Sequence, residues 1–459
     1  MALGHWQNPA SNQGGMPLLK KLFWTYFLLL IFEGALRKWV LPQYAAPLLL
    51  VRDPVGLLII LEAYRTNKWP QRWSLITGVL AAGFVGLCVL QAAVGDNPWI
   101  AAVYGLRSYL LPFPVAFIMG ENLDAEDLRK FAVCAMWLML PETALAIAQY
   151  VAPSGSVLNA GAYAGGTQIG YVGGHVRASG TFSFVVGLAL FCPMVAAFVL
   201  YGLARERFAK TWLLWAAAFA VIVSVPVVGS RTLLFELAAI VACAGVSAAL
   251  GVSQFLKSLK ILVPVFVVFV LASFLPVFSE SSKNLGERVR DANQVEGRGS
   301  TGRTIAHRTV VPVTTRIADT DFTKNPIGIG MGRGSAAISK LLLNRTEFTA
   351  GENEIDRAII ELGPFPGLAF TLFRFGLAFT ILGRAFLRAR AGQPLALLFA
   401  PLMFSGVSLG VLEQPTDQGF MVIALAFSLA ALKPASVVAR ANPSFSNLPR
   451  PRRYSSLGR

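Results

Sequence analysis

The sequence predicts an all-α integral membrane protein with about 12 transmembrane helices and one large extracytoplasmic loop between the ninth and tenth. Three observations predict it. Apolar residues make up 55% of the chain and charged residues only 14%, a balance foreign to soluble domains. The apolar residues fall in runs near the length of about 20 that a bilayer-crossing helix needs. Between the ninth and tenth runs lies a polar, arginine-rich segment from Phe278 to Asp356.

Each run reads as helix because only a helix closes every backbone hydrogen bond inside one segment once water is gone. Leu22–Leu36 follows Lys20-Lys21 and stays as an anchor, since no small-residue cleavage site comes after it. Pro47–Tyr64 contains Arg52-Asp53-Pro54, where the proline breaks or re-aims the span. Leu75–Val94 and Ile100–Met119 flank the short loop Gly95–Trp99, and Phe131–Val151 leads into a Gly-rich loop from Ala152 to Thr181. Phe182–Leu200, Trp212–Val228, Thr232–Leu250 and Ile261–Val277 complete the part before the insert, residues 1–277. After the insert, 278–356, residues 357–432 hold Ala358–Leu382, Leu395–Val411 and Asp417–Leu432. The tail, 433–459, is rich in Ser, Pro, Asn and Arg and reads as a disordered, membrane-hugging cytoplasmic end.

Lysine and arginine in short loops set the cytoplasmic side. Lys20, Lys21, Arg65, Lys68, Arg72, Arg129, Lys130, Arg205, Arg207, Lys210, Lys257, Lys260, Arg384, Arg388, Arg390 and the tail all fall on one side. Both termini are therefore expected in the cytoplasm, and the insert outside. Its cations are mostly arginine: Arg288, Arg290, Arg298, Arg303, Arg308, Arg316, Arg333 and Arg345, with Arg357 directly after it. A guanidinium offers a planar fork that suits phosphate and pyrophosphate; a solvated loop near anionic headgroups is the plainer alternative. The net charge of +16 points to membrane lipids and lipid phosphates as partners. No motif for nucleic acid occurs.

Other chemistries lack their residues. Cys88, Cys134, Cys192 and Cys243 sit in separate spans without a C-x-x-C pair, and His5, His175 and His307 are far apart, so neither a disulfide framework nor a metal site is indicated. There is no phosphate-binding P-loop, no G-x-S-x-G elbow and no dinucleotide fingerprint, hence no cofactor is expected. Asp53 is a lone carboxylate in the first outer loop, a weak candidate for metal-dependent transfer. Arg107, Glu142, Glu236 and Arg374 fall inside spans, where charge is costly unless paired or used.

Two outer arginines stand out. Arg177 lies in Val176-Arg177-Ala178-Ser179-Gly180-Thr181-Phe182, and Arg231 follows Gly229-Ser230 at the start of a span. Each alone could be snorkelling to headgroups. With Gly302-Arg303, Asn325-Pro326-Ile327-Gly328-Ile329-Gly330-Met331-Gly332 and Glu361-Leu362-Gly363, they give the region from Arg177 to Leu382 a pattern that resembles the O-antigen ligase and O-antigen polymerase superfamily. These are bacterial inner-membrane glycosyltransferases of GT-C-like, all-helical build. Glu33-Gly34-Ala35-Leu36-Arg37-Lys38-Trp39 adds little to the resemblance.

The resemblance implies a metal-independent, inverting enzyme that transfers a glycan from undecaprenyl pyrophosphate to an acceptor hydroxyl, more a polymerase than a ligase, working beside other polysaccharide-assembly proteins. It implies that Arg177, Arg231 and Arg303 cradle the pyrophosphate, with Arg308 and Arg333 as further anion-binding arginines. Ligases of this family commonly carry a His-Asn pair before the E-L-G turn; here Glu352-Asn353 occupies it. Glu352 is the expected residue that orients or deprotonates the acceptor, or else a partner for Arg357. Asn325, Gly328 and Gly330 would form a tight turn near the glycan or a structural closure of the loop. A transporter of an anionic solute is the rival from another class.

Overall fold

A computed structural model describes residues 17–94, 97–162, 171–172, 175–204, 208–250, 326–335 and 354–433, with positions 286, 290 and 338. The ninth predicted span, Ile261–Val277, and most of the insert lie outside these residues. Helices dominate: α1 Leu18–Ala35, α2 Arg52–Arg65, α3 Gln71–Val94, α4 Trp99–Leu110, α5 Pro112–Asn122, α6 Ala125–Val151, α7 Val185–Ala204, α8 Thr211–Val228, α9 Arg231–Ala249, α10 Glu354–Leu362, α11 Pro364–Arg390, α12 Leu395–Leu409 and α13 Pro415–Ala431. A minute antiparallel ribbon, β1 Tyr171–Val172 with β2 His175–Val176, interrupts the Gly-rich loop. Eight stretches among the described residues are long and apolar enough to cross a membrane, and α12 and α13 are shorter apolar helices.

Three predicted spans are broken. Before α2 the chain makes short helical turns at Pro42–Tyr44 and Ala45–Leu48. The fourth span divides into α4 and α5 at Pro112, which opens α5 as a first-turn proline. The tenth divides at Gly363, whose φ of 93° no β-carbon-bearing residue adopts easily, into α10 and α11. By contrast Pro141, Pro193, Pro226 and Pro401 sit inside continuous helices, as membrane helices tolerate.

Among the described helices, α13 is the centre. Along α13 nearly every residue from Pro415 to Ala430 is buried, and it packs against α5, α12, α7, α6 and α1. A helix apolar all round and covered all round belongs in a core. Gly120 lets α5 approach so closely that a β-carbon there would lie 2.6 Å from the Leu429 Cβ. Phe427 joins Phe27, Phe131, Phe198 and Phe399 in a column of rings. At the edge, α3 buries only Trp73, Thr77, Phe84 and Gln91.

Polar contacts identify two ends. One is basic: Lys20 bridges Asp124 (3.0 Å) and Asp127 (2.5 Å), the two residues of the capping box that starts α6. There Arg72 pairs with Glu121, and Lys433 donates to the Leu123 carbonyl at 2.7 Å. The other end gathers the loops after α1, α3, α6, α8 and α12 together with residues 326–335.

Candidate functional site

At that second end the residues after α1 close on the loop before α7. A single π-helical turn, Leu36–Val40, prolongs α1 and turns Arg37 and Lys38 both inward. Arg37 donates to the Ala45 carbonyl (2.8 Å), the Ser183 hydroxyl (2.8 Å), the Ala162 carbonyl (2.9 Å) and the Glu33 carboxylate (3.2 Å). Lys38 donates to the Ser179 hydroxyl at 2.5 Å and the Gly180 carbonyl at 3.1 Å. Burial pushes its amine down to about 7. The Gln149 amide oxygen accepts from the backbone of Ser179 (3.1 Å) and Gly180 (2.8 Å), while Glu142 accepts from the Thr181 amide (3.0 Å) and hydroxyl. A β-carbon on Gly34 would meet the Ser183 nitrogen at 2.1 Å, so glycine is what allows α1 against this loop. The stretch Glu33–Trp39, which carries little of the family resemblance, is therefore the seat on which Ser179-Gly180-Thr181 rests.

A second cluster holds the Gly-rich loop of residues 326–335. Gly328, Gly330 and Gly332 take φ of 72°, 115° and 80°, and one carboxylate closes the turn. Glu361 accepts from the amides of Gly332 (3.0 Å) and Gly334 (2.9 Å) and from the Tyr109 hydroxyl (2.9 Å). The Gln91 amide group donates to the Ile327 carbonyl (2.6 Å) and accepts from Met331 (2.8 Å). Behind Glu361, Arg357 forms a fork on Glu354 at 2.7 and 3.1 Å. Arg374 reaches the Val407 and Gly410 carbonyls at 2.7 and 2.6 Å. The lone carboxylate Asp53 lies 2.5 Å from Arg107, and Arg52 ties Glu33 (3.2 Å) to the Pro415 carbonyl, linking the first cluster to the central helix.

The sequence candidates fall in three groups. Arg177 donates to the Val228 carbonyl at 3.4 Å, on the last turn of α8. That helix ends at Gly229 (φ 57°), and Ser230 caps α9, whose first residue is Arg231. The structure thus brings Arg177 onto the turn that carries Arg231, and both are part-exposed. Carbonyls at a helix C-terminus favour such a cation. Arg333, Gly328 and Gly330 sit in the second cluster, where Arg333 is part-exposed and donates to the Ile329 carbonyl at 3.4 Å. Arg303, Arg308, Asn325, Glu352 and Asn353 lie outside the described residues. Arg357, a possible partner for Glu352, is engaged by Glu354. His175 stacks on Tyr150 with ring centroids 4.5 Å apart.

Reasoning from sequence missed Arg37, Lys38, Gln91, Gln149, Glu354 and Glu361 as organisers of this end. Their signal was present, because charged and amide residues close to the ends of apolar runs demand partners. Among the described residues no three His, Cys, Asp or Glu side chains gather as a metal site would require. Comparison of the chain with protein-family profiles, with curated proteins and with solved structures finds no match in any of the three.

Proposed function

We propose that the chain is a membrane glycosyltransferase of polymerase type, which moves a glycan from undecaprenyl pyrophosphate onto the hydroxyl of an acceptor glycan. The supporting observation is a contrast in exposure at one end of the bundle. Arg37, Lys38, Arg52, Arg357 and Arg374 are buried there, whereas Arg177, Arg231 and Arg333 are part-exposed. Among the described residues at this end, the arginines that the motifs single out keep surface on which an anion can be met, and Arg107, also part-exposed, is engaged by Asp53.

In the proposed reaction the acceptor oxygen attacks the anomeric carbon as the bond from that carbon to the pyrophosphate oxygen breaks. The acceptor proton passes to a base, for which Glu352 is the proposed residue, and undecaprenyl pyrophosphate departs. The leaving group is already good, so catalysis rests on neutralising charge at the departing oxygen. Forked guanidinium donors provide that. Of the four charges on which a solute pathway would rest, Arg107, Glu142 and Arg374 are tied to backbone and side-chain partners, which supports this reading over a pathway of charges that exchange partners; Glu236 is buried with one carboxylate oxygen unbonded.

Lysine keeps the charge of arginine but loses the fork. Arg177→Lys and Arg231→Lys are expected to lower polymer formation about 10²–10³-fold, with lipid-linked repeat accumulating in membranes that hold equal protein. Full activity in both variants would return these residues to the lipid interface, where lysine snorkels as well as arginine.

A further inference from the structure

At the basic end, a groove of about 820 Å³ opens between α6 and the turn that begins α8. One wall is a stripe of α6 at helical spacing, in which Glu126, Arg129 and Lys130 give way to Val133, Cys134 and Trp137. The facing wall brings Lys210, Trp212 and Leu213. Trp137 and Trp212 meet edge to face, with centroids 5.2 Å apart, and each keeps half its surface exposed, at 50% and 51%. Arg129 fixes the turn by donating to the Phe208 carbonyl at 2.9 Å.

We infer that this groove binds an anionic glycerophospholipid of the adjoining leaflet. Three cations against one carboxylate leave an excess of positive charge at the rim. Glu126 stays at 3.8 and 3.9 Å from Arg129 and Lys130, too far for hydrogen bonds, so the cations keep donors for a phosphate. Lys130 and Trp137 are two turns apart, about 10 Å along the axis, the offset between a headgroup and the start of its acyl chains. Tryptophan pairs favour that depth. The groove lies at the opposite end from Arg177 and Arg231, so lipid binding and glycan transfer can be lost separately.

The test reconstitutes the full chain with phosphatidylglycerol or phosphatidylcholine brominated on the acyl chain and reads tryptophan quenching. Phosphatidylglycerol is expected to quench more strongly at equal mole fraction, and Trp137→Phe/Trp212→Phe to abolish the difference. A cation near a membrane surface is worth about 1 kcal/mol, or roughly five-fold. Lys130→Gln/Lys210→Gln should therefore reduce the preference by more than ten-fold, and Lys130→Arg/Lys210→Arg should retain it. Arg390→Gln, an exposed cation at the same end, should leave it unchanged. Equal quenching by the two lipids, equal loss in Arg390→Gln, loss in the arginine pair, or displacement by inorganic phosphate would each overturn the lipid site.

Discussion

Glu361 accepts three hydrogen bonds, two from amides of the Gly-rich loop and one from Tyr109. Glutamine in its place presents only one oxygen, so a backbone N–H faces another donor and Arg357 loses a counter-charge. Glu361→Gln is expected to cost roughly 3–5 kcal/mol of stability, read as a lowered unfolding transition in detergent. Arg333→Gln on the same loop should stay within about 0.5 kcal/mol of the parent. An unchanged transition for Glu361→Gln would mean that the loop is held by other contacts. Lys38 supplies a pH test. Its folded value near 7 lies below its ordinary 10.5, so between these values the unfolded chain binds a proton that the folded chain has released. Stability then rises with pH across that window. Lys38→Met should lose that slope, and identical slopes in the two proteins would contradict the assignment. At this scale the sequence marked Arg177 and Arg231 through their unusual places at span ends. It left Glu361 as part of a motif, because what a carboxylate accepts from depends on a loop nearly thirty positions earlier in the chain.

Helix positions were legible because hydropathy over a span is a sum that single residues barely disturb. The breaks were less so. Pro112 and Gly363 lie inside apolar runs, and a proline there can either start a new helix, as Pro112 does, or ride within one, as Pro193 does; packing decides. Glycines divide in the same way. Gly34→Ala is expected to abolish the seat of α1 against residues 181–183, where a β-carbon would overlap backbone, and so to deplete folded protein in membranes. Gly83→Ala on the exposed face of α3 meets nothing within 4 Å and should gain the roughly 0.5–1 kcal/mol that alanine brings to a helix interior. Comparing yields of monodisperse protein for the two variants checks both outcomes. A fall with Gly83→Ala equal to that with Gly34→Ala would remove close approach as the explanation.

For the whole molecule, the loop-charge pattern expects the basic end in the cytoplasm and the insert outside. With Cys88, Cys134, Cys192 and Cys243 replaced, a cysteine introduced at Ser300 should react with an impermeant reagent in intact cells, and one at Ser455 should not. The reverse result would invert the assignment. What no hydropathy pattern foretold is that α13 is the core of the described residues. In a bilayer the lipid tails are as apolar as leucine, so a central span and a peripheral one can have the same composition, and α13 differs from α3 only in what surrounds it. Its place has a consequence for biosynthesis. Helices emerge from the ribosome in order, so α1 to α12 are made before α13, the helix that fills the space between several of them. Apolar faces can wait against lipid at little cost, whereas Arg52 must wait on Glu33 and Glu354 on Arg357, because the Pro415 carbonyl and the Leu412 amide that they also bond arrive only with α13 and the turn before it. A chain interrupted before α13 would therefore leave each of these charged groups short of one hydrogen-bond partner, and a separately made piece covering residues 411–433 would restore both bonds by docking among the other helices.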